Sequence, residues 1–280
     1  MTVTAVEAQR APAGRGRARA RSARRQAVLA LPAVGVVALL LAGWQLYADL
    51  GDVDVTILPS PSRVVSAGWD ARDVLWANTL ATLRATLLGF AFSLTVGFAL
   101  SVLIDLSGIL RRALMPPLII SQTLPIIAIA PLVVIWFGFG LTPKILLVAL
   151  VTFFAITVAL VQGYQAAEPE AEQLLRSMGA SRLRVFRMVR LPTAMPYFFA
   201  GLRISITYAV VGAIFAEYAG ATEGLGIFMQ NAKNAFRTDL VLAAVFVSAT
   251  LTLALFAVTI LAERLLIPWT RVARGGERPA

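Results

Sequence analysis

The 280-residue sequence contains no cysteine and no histidine. Disulfides, Cys/His metal sites, thiol nucleophiles and every triad that needs an imidazole base are thereby excluded. Lysine is scarce as well: Lys144 and Lys233 are the only two, and they follow Pro143 and Ala232. Neither can complete a G-x-x-x-x-G-K-[ST] phosphate loop, so the chain cannot hydrolyse ATP by that route. Charge is the third shortage. Only 14% of the residues are charged, where a soluble domain has about a quarter. What is present is apolar: 59% of residues are hydrophobic, and the mean hydropathy is +0.79. The chain therefore falls in the membrane class. Its net charge of +10 would suit nucleic acid in a soluble protein. Here the basic residues flank apolar runs, so topology and anionic lipid account for them and no nucleic-acid partner is expected.

A membrane span needs roughly 20 apolar residues. Six runs qualify: Ala27 to Tyr47, Ala85 to Ile104, Ala113 to Leu141, Ile145 to Tyr164, Phe198 to Ala216, and Leu240 to Ala262. The third is broken by Pro116, Pro117, Pro125 and Pro131, and the fifth contains Arg203. Cytoplasmic loops carry the excess of arginine. Seven arginines and one glutamate precede Ala27, whereas residues 49–78 hold five aspartates and two arginines. Arg111 and Arg112, the stretch 165–196, and the tail with Arg264, Arg271, Arg274 and Arg278 then all fall on the inner side. The expectation is an all-α polytopic protein with both termini cytoplasmic. It comprises a disordered Arg-rich tail over 1–26, a six-span domain over 27–270, and a second tail over 271–280.

The most informative segment is charged. Residues 165–196 separate spans four and five and hold five arginines between Arg176 and Arg190. Ala171, Leu174, Leu175 and Met178 recur at i, i+3, i+4 and i+7, which defines one helical face. Gly179 supplies a helix stop. Ser181 can cap a second short helix, whose Leu183, Phe186 and Val189 are apolar beside Arg182, Arg184, Arg187 and Arg190. A pair of such helices lying on anionic lipid would account for this composition too.

The order of elements is more particular than lipid binding requires. Gly179, nine residues, Val189, one residue, then Leu191-Pro192 resembles the cytoplasmic loop of ABC importer permeases. That loop reads Glu-Ala-Ala, three residues, Gly, nine residues, an aliphatic, one residue, Leu-Pro. Gln173 stands where the family has glutamate, with Glu172 beside it, and Leu174 and Leu175 stand where alanines are usual. LPSPSRVV and LPIIAIAPLVVIWFGFGLTPKI extend the likeness over roughly residues 55–270, to the nitrate, sulfonate, taurine and thiamine-precursor branch.

The resemblance implies a type I importer permease fold in a bacterial plasma membrane, with no catalytic residue and no cofactor. It implies a coupling loop built from Glu172, Gln173, Leu174, Leu175, Met178, Gly179, Ala180, Ser181, Val189, Leu191 and Pro192, docking on a separate ABC ATPase subunit present in two copies. An extracytoplasmic solute-binding protein and a second permease copy, as a homodimer, complete the expected partners.

Polar residues inside spans are costly and point to function. Gln122, Thr123 and Glu217 are candidates for the substrate path. Helix–helix hydrogen bonding is the competing reading, and Arg203 is expected to snorkel to the interface. GATEGLG, residues 220–226, reads as an outward turn. PYFFAGLRIS, AEYAGATEGLGIFMQ and AERLLIPW look similar to permeases for thiamine pyrimidine precursors or riboflavin. An aliphatic sulfonate, taurine or nitrate is the alternative solute. A stand-alone secondary transporter is the alternative class; it would need ion-coupling carboxylates at mid-span, and none lies deep in the six runs.

Overall fold

A computed structural model describes Pro32 and residues 35–51 and 53–268. The tail over 1–26, the start of the first expected span and the whole tail over 271–280 lie outside the described residues. Helix α1 runs over Gly35–Leu50 within the first of two compact units. Gln45 closes a local contact there, donating to Asp49 Oδ2 at 2.7 Å.

Among its described residues the regular elements of the second unit are all helices, joined by short turns. Helix α2, Pro61–Asp70, leads into α3, Arg72–Leu106. Then come α4, Gly108–Ser121, and α5, Ile126–Phe137. Helix α6, Leu141–Gln165, is followed by α7, Pro169–Ser177, and α8, Arg182–Val185. Helices α9, Leu191–Tyr218, α10, Leu225–Asn234, and α11, Thr238–Leu266, complete the order. Among the described residues, four helical runs are long and apolar enough to cross a membrane, Arg72–Leu106, Leu141–Gln165, Arg182–Tyr218 and Thr238–Leu266, or five if the bent pair Gly108–Ser121 and Ile126–Phe137 is one span.

The proline-broken third span is two helices. Helices α4 and α5 meet at a bend of 102°. Pro125 has no N–H to continue the helical ladder, and Ala128 restarts it by donating to the Pro125 carbonyl.

The core is the α3–α6–α9 bundle, closed by α11. Phe90, Val148, Ile156, Leu160, Phe199, Leu202, Ile206 and Ala213 are buried together. Lipid tails give no hydrophobic drive for helices to associate, so close backbone approach and interhelical hydrogen bonds hold the bundle. Thr152 Oγ1 on α6 lies 2.7 Å from Ser93 Oγ on α3. Ser205 Oγ on α9 donates to the Thr152 carbonyl at 3.0 Å. At Gly163 on α6, a Cβ would fall 2.6 Å from Ala194 Cα of α9.

Two findings differ from the sequence expectation. The second helix of the charged loop is not separate: α8 passes through a π-helical turn, Phe186–Arg190, straight into α9. Pro192 explains the turn, because its ring excludes the ordinary bond to the carbonyl four residues back. The ladder opens just ahead of it, where Leu191 N–H reaches the Phe186 carbonyl. The second difference is α10, an extra helix packed through Leu225 and Met229 onto Val64, Leu75 and Ala243.

Candidate functional site

The charged loop folds as its spacing predicts at the glycine. Gly179 has φ +81°, and its N–H donates to the Arg176 carbonyl at 3.0 Å while Ala180 N–H reaches the Leu175 carbonyl at 2.9 Å. These two bonds form a Schellman stop, in which only glycine takes the left-handed position without strain. Ser181 Oγ accepts from Arg184 N at 3.4 Å and caps α8.

The apolar residues of α7 do not act as one face. Ala171 and Leu175 turn partly inward, while Gln173, Leu174 and Met178 face outward. Leu174 is 62% exposed and Met178 73%, with Leu183 of α8 at 62%. Glycine and Ser181 between them are exposed, whereas Ala180, Val189, Leu191 and Pro192 are half-buried. The loop thus presents an apolar knob of Leu174, Met178 and Leu183.

Behind the knob sits an ionic bridge. Arg190 Nε donates to Glu172 Oε1 at 2.6 Å, and its Nη2 donates to Oε2 at 2.9 Å. Its Nη1 lies 2.8 and 2.9 Å from Asp105 Oδ1 and Oδ2. Arg176 adds a looser contact to Glu172 Oε2 at 3.5 Å. The hydrogen bond from Arg190 holds the Glu172 carboxyl below the usual carboxylate range; burial opposes this, and the charges of Arg190 and Arg176 add to it. Glu172 therefore faces into the protein, and the neighbouring Gln173 is the residue offered outward. Asp105, 85 residues from Arg190 in sequence, carries no local signal and was not among the expected site residues.

At the bend between α4 and α5, Gln122 and Thr123 form the elbow. Both are exposed. Their N–H groups donate to the carbonyls of Ile119 and Ile120 at 3.2 and 3.0 Å, and Thr123 Oγ1 also donates to Ile120 O at 2.8 Å.

Glu217 lies elsewhere, at the end of the bundle opposite the loop. Its side chain is fully buried. Thr82 Oγ1 of α3 donates to it at 2.9 Å, and Gly226 N–H of α10 donates to Oε2 at 2.8 Å. Lys144 Nζ of α6 stands 4.0 Å away and donates to the Glu223 carbonyl at 2.9 Å. Asn78 Oδ1 accepts from Gly224 N–H at 2.8 Å, and Thr82 Oγ1 from Leu225 N–H at 2.8 Å. The GATEGLG turn is thus fastened onto three helices around one carboxylate. Glycine is required at 224, where a Cβ would fall 2.1 Å from Glu217 Cδ. Arg203 does not merely snorkel: it forms an ion pair with Glu263 of α11.

Among the described residues, a helical bundle with a proline-bent pair and a charged, glycine-stopped loop between two core helices has the features that the resemblance to ABC importer permeases implies. The chain belongs to the binding-protein-dependent transport system inner membrane component family, whose pattern it matches over residues 81–272. It is 36% identical over 243 residues to a riboflavin transport system permease protein of Chloroflexus aurantiacus, covering 85% of this chain and 91% of the relative. With a formylaminopyrimidine transport permease protein of Halalkalibacterium halodurans it shares 37% over 216 residues, or 77% and 86% of the two chains. A taurine transport system permease protein of Escherichia coli is 33% identical over 245 residues, 84% and 88% of the two chains. Among solved structures, an inward-facing methionine ABC transporter superposes with a TM-score of 0.57 at 20% identity, covering 71% of this chain and 97% of that one. That likeness fixes the type I importer permease fold. The chain is a multi-pass membrane component of an ABC importer, and the stand-alone carrier reading falls away.

Proposed function

We propose that this chain forms the solute path of an importer driven by a separate ATPase, with residues 165–196 as the cytoplasmic coupling loop. The observation that carries the reading is the exposure of Leu174 and Met178, outside the runs long enough to cross a membrane, and of Leu183 at the start of one such run, either side of a rigid stop at Gly179. Apolar side chains displayed this way in water need a partner cleft. Gln173 and Ser181 complete that face, with Leu175 and Ala180 half-buried beside it, while Val189, Leu191 and Pro192 join it to α9 and Glu172 braces it from behind. The permease itself carries no catalytic residue. Two ATPase subunits, one under each permease of a homodimer, and an extracytoplasmic solute-binding protein make up the assembly. Both termini lie on the cytoplasmic side of a bacterial plasma membrane, within a domain organised as six spans over 27–270.

In this reading Gln122 and Thr123 border the solute path, at an elbow whose bent backbone is tolerated only beside a cavity or another protein surface. Glu217 borders it from within the packed wall. Its hydrogen bonds favour a fastening role over direct solute contact. The solute is a thiamine pyrimidine precursor or riboflavin, because relatives with those names share 36–37% of their residues with this chain. The taurine relative, at 33%, keeps a sulfonate as the second reading.

The test is to purify the tagged protein from its native membrane in mild detergent and identify what accompanies it. A stoichiometric ABC ATPase, lost when Leu174 and Met178 are made charged, supports the reading. Permease that purifies alone and still moves solute in vesicles refutes it. The companion binding protein is then titrated with a hydroxymethylpyrimidine, riboflavin and taurine.

A further inference from the structure

Helix α7 is held in an unusual way. None of its nine residues is fully buried; Ala171, Glu172 and Leu175 are half-buried, so apolar packing fixes the helix only in part. Cavities of about 360 Å³ and 260 Å³ lie against it, the first lined by Tyr164, Gln165, Pro169 and Arg111, the second by Arg176, Arg182 and Phe186. Both share Asp105 and Arg190 in their walls. Between the two cavities the guanidinium of Arg190 ties the helix to the bundle.

From this geometry we infer that Arg190 is the positioning residue that passes movement of the coupling helix to α3, through Asp105, as well as to α9, on which it stands. The inference rests on the reading of residues 165–196 as the ATPase-docking loop. Arg190 sits one residue before α9, and its fork contacts both oxygens of Glu172 and both oxygens of Asp105. Its side chain is 27% exposed, while Glu172 and Asp105 are 13% and 11%. A guanidinium holding one carboxylate through Nε and Nη2 and a second through Nη1 ties the two together, and an ammonium cannot reproduce it. Displacement of Glu172 with α7 is thereby passed through Arg190 to Asp105 at the end of α3. Without the Asp105 arm, α7 is connected only to α9 and to its own flanking turns. Helix α3 would then be moved late or not at all.

The bridge also accounts for why Glu172 is not the outward contact. A carboxylate bound at both oxygens by one arginine has little capacity left for a partner protein, whereas Gln173 beside it is exposed.

The experiment uses the complete transporter, permease with its ATPase and binding protein, reconstituted in vesicles. Asp105→Asn and Arg190→Lys are compared with the unaltered protein in three readouts: ATPase retained on the permease, ATP hydrolysis stimulated by loaded binding protein, and solute moved per ATP. ATPase retention and hydrolysis are expected to stay within a factor of about two, while solute moved per ATP falls roughly tenfold in both variants. Glu172→Gln, which breaks the same bridge at its α7 end, gives a fall at least as large. A melting curve of each complex separates this from unfolding. An unchanged solute-to-ATP ratio in Arg190→Lys and Asp105→Asn overturns the inference. So does loss of the ATPase from either variant, which would make the bridge part of the docking surface. Failure of the unaltered permease to retain any ATPase refutes the underlying reading instead.

Discussion

Lys144 Nζ lies 4.0 Å from Glu217 Oε1, with the two side chains 8% and 0% exposed. The pair is buried at one end of the bundle, and each member has further partners: Glu223 O for the lysine, Thr82 and Gly226 for the glutamate. Removing one member of such a pair strands the other. Lys144→Met and Glu217→Gln are each expected to lower stability by about 3–5 kcal/mol. The double variant Lys144→Met/Glu217→Gln should recover much of that loss, because no lone charge remains. Thermal unfolding of the detergent-solubilised protein measures the cycle, and additive losses would show that the two groups act independently.

At Gly179 the difficulty for a side chain is backbone conformation, since a Cβ there would meet nothing within 4 Å. Gly179→Ala should cost about 1 kcal/mol, the left-handed penalty. Proline cannot take φ +81° and would remove the N–H that bonds Arg176. Gly179→Pro is therefore expected to abolish uptake while membrane insertion stays normal. Wild-type uptake by this variant would remove the coupling loop from the mechanism.

The exposed knob makes a prediction of opposite sign for stability. Leu174→Asp and Met178→Asp remove no internal packing, so unfolding should change by no more than about 0.5 kcal/mol. Retention of the ATPase should nevertheless fall by roughly 2 kcal/mol or more for each, as for a central anchor of an interface. Unimpaired co-purification would place the docking face elsewhere.

Protonation of Glu172 should release α7. Its folded carboxyl is held below the usual range by Arg190, so the bridge stabilises the loop fully above the ordinary glutamate value of about 4.3. That contribution is lost as pH falls below this range, through the lowered folded value. Hydrogen exchange of residues 169–177, corrected for intrinsic rate, should accelerate there and stay flat between neutral pH and the onset. Glu172→Gln should be fast across the whole range.

The apolar runs and the loop spacing carried most of this architecture in the sequence. Helices α6, α9 and α11 appear where uninterrupted hydropathy placed them, and the Gly179 stop and Ser181 cap follow from residues that act on their immediate neighbours. Pairings across the chain were not legible. Asp105 reads as one acid at a helix end, and nothing near it signals Arg190. Lys144 reads as a flanking charge before a span, yet it lies inside α6 and its partner is on α9. Helix α10 escaped because its ten residues are too few for a span and its start is set by the folded GATEGLG turn. The π turn likewise depends on how Pro192 meets a helix already running from Arg182.

That continuity has a mechanical consequence. From Arg182 to Tyr218 the chain is a single helical run of 37 residues, which at about 1.5 Å per residue makes a rod roughly 55 Å long. One tip carries Leu183 and Arg190; the other carries Glu217, where the opposite end of the bundle is sewn together. Twist applied at either tip reaches the other through one piece of backbone, so whatever occupies one side of the membrane biases the other side to the same degree in return.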